Sequence, residues 1–155
     1  MTRNVLKFNY QKWGVVMANI SYFMLFDQLS NVQLPDGQVA MQFTNPQPVL
    51  RPQFIPGNYS FAYCLAVRGV DFSKENTVCV RIEDPDCNVV YKMGEMKSPI
   101  AGDEGNLPPE YKGFGINANM HNFAFEKKGV YHLIITINGE DLDPAEIPVF
   151  LREEK

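Results

Sequence analysis

The run from Phe125 to Leu151 constrains this chain most: Phe-Glu-Lys-Lys-Gly-Val-Tyr-His-Leu-Ile-Ile-Thr-Ile-Asn-Gly-Glu-Asp-Leu-Asp-Pro-Ala-Glu-Ile-Pro-Val-Phe-Leu. Asn138-Gly139 stands between two β-rich stretches, and this pair accepts the positive φ angles that a two-residue hairpin turn imposes. The segment reads as turn, strand, tight turn and closing strand. A chain organised this way folds by pairing strands, and the pattern repeats upstream. Strands are expected at 20–29, 38–43, 59–67, 77–84, 89–93, 114–122, 130–137 and 147–151. Between them Pro35-Asp36-Gly37, residues 68–76, Asp84-Pro85-Asp86 and Asn138-Gly139 are residue types that favour turns for backbone reasons. No apolar stripe of helical period persists beyond two turns.

Two stretches break the rhythm. Residues 45–57 hold Pro46, Pro48, Pro52 and Pro56; proline cannot donate to a ladder, so this stretch is expected to be an extended crossover between sheets and no central strand. Residues 94–113 form the longest loop, punctuated by glycines, Pro99, Pro108 and Pro109. Loops of that length are uncommon in compact domains unless they bind something or move. Short strands at even spacing with two long connections imply an all-β fold, a two-sheet antiparallel β-sandwich of about eight strands. One such domain is expected over residues 17–155, with Met17-Ala18-Asn19-Ile20 as its natural start and residues 1–16 as an N-terminal extension.

The 155 residues suit one domain with a sizeable core, and 45% hydrophobic with 21% charged residues is a globular balance. Cys64, Cys79 and Cys87 are odd in number and include no Cys-x-x-Cys pair, which argues against a disulfide framework and against structural zinc. The richest apolar stretch, residues 20–26, is far below the roughly 20 residues of a membrane helix. The first sixteen residues lack the apolar block of a signal peptide. A cytoplasmic protein with no membrane partner is the expectation. Met1 to Met17 carry three basic and no acidic residues while the net charge is −4, so the rest stands at −7. Nucleic-acid binders need clustered Lys and Arg, and the densest pair here is Lys127-Lys128 in an expected turn. No nucleic-acid partner is expected.

Four segments in order resemble a bacterial and phage-associated family of unknown function with an immunoglobulin-like or C2-like sandwich. They are Leu29-Ser30-Asn31-Val32 leading to Asp36-Gly37-Gln38, Pro52-Gln53-Phe54-Ile55-Pro56, Val80-Arg81-Ile82-Glu83-Asp84-Pro85-Asp86 leading to Val89-Val90, and Gly129-Val130-Tyr131 leading to Asn138-Gly139-Glu140. The resemblance spans Met17 to the C-terminus and brings no functional residue with it. The chain departs from the pattern at Cys87, where such turns usually carry glycine; Asn88 is expected to take the left-handed conformation there.

Candidate chemistry is sparse. His121 and His132 fall on separate expected strands with no nucleophile motif beside either, so structural or surface roles are expected. Cys64 and Cys79 read as small core residues, and Cys87 as an exposed thiol beside Asp84 and Asp86, which oppose thiolate formation. Carboxylates recur at Asp84 and Asp86, at Asp103 and Glu104, and at Glu140, Asp141, Asp143 and Glu146. Loop aspartates hold calcium in C2-type sandwiches, but no Asp-x-Asp-x-Asp-Gly loop occurs, and solvated turns are the plainer reading. Tyr59, Phe61 and Tyr63 share one strand parity and read as core, with a sugar-stacking or protein-binding platform that also draws on Phe54, Tyr91, Tyr111 and Phe114 as the alternative. The expected function is a non-enzymatic protein-interaction module without catalytic residues or a cofactor. Its expected contact with an unidentified protein partner is Asp103, Glu104, Leu107 and Tyr111 in the long loop. The alternative is a ligand-binding sandwich, with calcium or a carbohydrate at the acidic loops.

Overall fold

Strand β4 (Asn76–Glu83) alternates buried and half-buried side chains from end to end, the period-2 signature of a strand with one face in a core. This is the pattern on which the computed structural model is built; it describes residues 17–98 and 107–152. Strands β1 (Asn19–Gln33), β2 (Val39–Pro46), β3 (Gly57–Arg68) and β7 (Gly113–Phe125) form one antiparallel sheet in the order β2-β1-β3-β7. The other sheet runs β10 (Ala145–Val149), β8 (Gly129–Ile137), β4, β5 (Val89–Lys92). The short β6 (Met96–Ser98) adds to β4 and β9 (Glu140–Asp141) to β8, and a 3-10 turn, η1, covers Pro109–Tyr111. The fold is an all-β sandwich of two antiparallel sheets.

The inner faces meet through Phe61, Tyr63, Leu65 and Val67 of β3 and Val78, Val80, Ile82, Leu133 and Ile135 of the facing sheet, all buried. At one end Phe61, Phe123, Phe125 and Tyr131 interlock; Phe125 and Tyr131 meet edge-on at 5.1 Å between ring centroids, a favourable quadrupolar arrangement. Tyr131 opens β8 and its hydroxyl donates to the Lys127 carbonyl at 2.9 Å, tying the preceding turn to the core.

All eight expected strands are present, and five of them, β1, β2, β3, β7 and β8, run longer than expected. In β7 an extra residue near His121 and Asn122 shifts the register against β3, with Asn122 at φ 51° and its N–H donating to Ser60 Oγ. This bulge switches the inward parity from Met120 to Phe123 and Phe125, so the strand continues past 122. The Asn138-Gly139 turn has φ 52° and 82°, as the sequence implies. Asn138 also accepts from the Thr77 N–H through its side chain, which pins the hairpin to β4.

Beyond Phe26, β1 leaves β3, and with β2 forms a hairpin that curls over the outer face of its own sheet. Asn119 of β7 holds it there, accepting from the Leu29 N–H at 2.9 Å and donating to the Leu29 carbonyl at 2.8 Å. Beneath it lies a second small core of Phe26, Ala62 and Cys64, flanked by Leu29 and Phe43.

Three expectations need correction. Cys87 itself takes the left-handed conformation, φ 66°, instead of Asn88; Asp84 accepts from the Asp86 and Asn88 N–H groups and thereby sets the turn around it. Cys79 is half-buried on the outer face of β4 and belongs to neither core, whereas Cys64 is a small core residue as expected, in the outer cluster under the hairpin. Residues 45–57 connect β2 to β3, two strands of one sheet. On the way the connection reaches the other: Leu50 pairs in parallel with Val149.

Candidate functional site

Prolines keep the 45–57 connection extended, and its few free backbone groups attach to the edge of β10. Leu50 N–H donates to the Pro148 carbonyl at 2.9 Å, Phe150 N–H to Leu50 at 3.1 Å, and Arg152 N–H to Pro52 at 3.1 Å. Leu50 is fully buried as the anchor of this attachment. The chain after β10 therefore runs alongside the crossover, and Arg51 and Arg152 come to line the same cleft.

This cleft encloses about 820 Å³ between the crossover, the base of the β1–β2 hairpin and the start of β3. Its floor includes Tyr59, whose hydroxyl donates to Gln47 Oε1 at 3.0 Å and whose ring packs on Phe125. Burial, reinforced by nearby Asp27, pushes the Tyr59 phenol up, while the Gln47 bond and Arg152 pull it back. Asp27 is engaged by Asn45 Nδ2 at 2.6 Å. Phe54 stands at the rim, 73% exposed. Gly57 lets the chain double back beneath it: a Cβ at 57 would lie 2.6 Å from the Phe54 carbonyl oxygen.

Two guanidiniums face one carboxylate in this cleft, on a protein whose net charge is −4. Among the described residues neither Arg51 nor Arg152 has an ion-pair partner. Arg81, by contrast, forks onto Asp141 at 3.0 and 2.8 Å and reaches Glu83, which holds its pKa well above the ordinary value. Lys127 bridges Asp84 and Asp86. A smaller groove of about 280 Å³ adjoins the cleft across Pro46, Gln47 and Pro48, and is lined beyond them by Phe23, Met24, Leu25 and Glu146.

The residues singled out from sequence are dispersed. The Asp84 turn lies beside the β7–β8 turn, where Lys127 meets it, whereas Glu140 and Asp141 follow the hairpin turn at the opposite end of β8. Among the described residues no group of three or more His, Cys, Asp or Glu is placed to hold a metal ion. His121 and His132 lie on different sheets. Phe61 and Tyr63 are core, and burial pushes the Tyr63 phenol up to about 12. Asp103 and Glu104 lie outside the described residues. Leu107 and Tyr111 are exposed, and Arg68 stacks on the Tyr111 ring at 5.5 Å. They sit at the Arg68–Gly113 end of the β3–β7 pair, while the cleft adjoins the Gly57–Phe125 end, about 35 Å away along a twelve-residue strand at strand rise.

Arg51, Arg152, Gln47 and Asn45 escape sequence reasoning because they belong to no motif, and the two arginines are brought together only by the Leu50–Val149 attachment. No family model matches the chain, and no characterised protein matches it by sequence. The fold defines the class, a two-sheet β-sandwich. Among the described residues no helix is long and apolar enough to cross a membrane.

Proposed function

We propose that this sandwich is a non-enzymatic protein-interaction module that receives its partner at the crossover cleft. The observation that carries this reading is the pair of guanidiniums that have no ion-pair partner among the described residues, beside an exposed phenylalanine, in a preformed cleft at one end of the sandwich. Arginine and aromatic side chains supply most binding energy in protein contacts, and an unpaired guanidinium at the surface keeps its charge available for a partner. Leu107 and Tyr111 support a second contact surface at the far end, because both are exposed apolar groups.

A photo-cross-linking amino acid at position 54, used in the cells that supply the chain, tests the reading. A discrete protein adduct should form there and vanish in the Arg51→Glu, Arg152→Glu double variant. An adduct unchanged by charge reversal, or none at 54 and a strong one at 111, would move the contact to the far end.

A further inference from the structure

Resting on that reading, we infer that the occupant of the cleft is an extended acidic peptide of the partner, laid against the free edge of β1. It places a carboxylate between Arg51 and Arg152 and an apolar side chain in the adjoining groove. Three observations converge on this occupant. Among the described residues the cleft lining holds two guanidiniums to one carboxylate, and the planar fork of a guanidinium suits a carboxylate. The neighbouring groove is apolar along Phe23, Met24 and Leu25, and among the described residues its single charge is Glu146. That carboxylate repels a second acid, so the peptide is read with one acidic end and one apolar end.

The third observation is the backbone. β1 pairs with β3 from Asn19 to Phe26, but β2 pairs with it only from Phe26 onward, and the Gln47 N–H takes the Leu25 carbonyl. Among the described residues, Asn19 to Met24 therefore present an unpaired strand edge along the groove. A peptide can pair there while its alternate side chains enter the two depressions. A saccharide would use the guanidiniums and Phe54 but not a strand edge. The chain's own residues 1–16 carry Arg3, Lys7 and Lys12 and no acid, the opposite of what the cleft selects.

A random dodecapeptide library displayed on phage and panned on the full chain tests the inference. Enriched sequences should share an Asp or Glu two or more residues from a Leu, Ile, Met or Phe. A synthetic enriched peptide should bind at least tenfold more weakly to Arg51→Ala, Arg152→Ala. It should weaken similarly when its acid becomes the amide, and when its alternate backbone amides are methylated. Met24→Glu, at an exposed position, should weaken it several-fold, with the melting temperature of each variant showing that it folds. No enrichment, enriched peptides lacking an acid, or affinity indifferent to the arginines would overturn the inference. So would arginine-dependent binding of oligogalacturonate with no peptide enriched, which points to an acidic sugar. A cross-link at position 54 that survives such a result leaves the interaction module standing and removes only the acidic peptide.

Discussion

At the scale of single residues, Tyr131 shows how one side chain serves two roles. Its ring fills the aromatic end of the core, fully buried, and its hydroxyl satisfies the Lys127 carbonyl. Tyr131→Ala removes ring and hydroxyl and should destabilise by roughly 3–5 kcal/mol, whereas Tyr131→Phe removes only the hydroxyl's bonds to the Lys127 carbonyl and N–H and should cost about 1–2 kcal/mol. Urea unfolding of the two variants checks the ratio, and equal losses would mean that the ring contributes little. Asp84 carries the acid sensitivity of its turn. The Asn88 backbone N–H, with further help from the Asn88 side chain, Asp86 and Lys127, holds its carboxyl below the ordinary value of 3.8. A lowered folded pKa contributes stability above the unfolded value and loses it as pH falls through the folded one. The melting temperature should therefore drop below about pH 4, and Asp84→Asn should flatten part of that drop. An identical acid limb in the variant would assign the sensitivity elsewhere.

At the scale of elements, the curled β1–β2 hairpin hangs on Asn119, which imitates a strand partner for Leu29. Asn119→Ala leaves both Leu29 backbone groups without this partner and should loosen the cover over Cys64. In a Cys79→Ser, Cys87→Ser background the Cys64 thiol, now buried, should react with a maleimide several-fold faster than in the parent; an unchanged rate would show that Phe26 and Phe43 hold the hairpin alone. The long loop divides differently than its composition implies. Met96–Ser98 pairs with β4, and Ser98 Oγ accepts from the Asn76 N–H at 3.2 Å. Replacing residues 99–106 by a short Gly-Ser link should change stability little, since closure entropy varies slowly with length. Extending the replacement back to Met96 should lower the melting temperature by several degrees, because β6 is lost. Equal melting temperatures for both replacements would show that β6 is dispensable.

At the scale of the whole molecule, the sandwich is stitched by distant pairings: Gly57 with Phe125, Ile20 with Val67, Val78 with Ile137. Such topology delays the reward for closing long loops, so refolding from urea should take milliseconds to seconds. Stopped-flow fluorescence checks this, and complete refolding within microseconds would contradict it.

The sequence by itself determined the fold class and the strands, because alternation and turn chemistry are local: Asn138-Gly139 turns as those residues must, and β4 alternates without a break. The β7 bulge lies inside the expected strand 114–122 but was not read from the sequence, because the two-for-one pairing at His121 and Asn122 is set against β3. Residue type also made Cys87 an exposed turn thiol, but which residue took the left-handed angle depended on the Asp84 hydrogen bonds. Strand parity already puts Cys64 on the face opposite Phe61 and Tyr63, but only the tertiary structure decided that it is buried there, since that depends on how far the hairpin curls. It alone decided the cleft, because Arg51 and Arg152 come to line it through backbone bonds between the 45–57 connection and the chain after β10. Long-range contacts of this kind leave no periodic trace in the residues that make them.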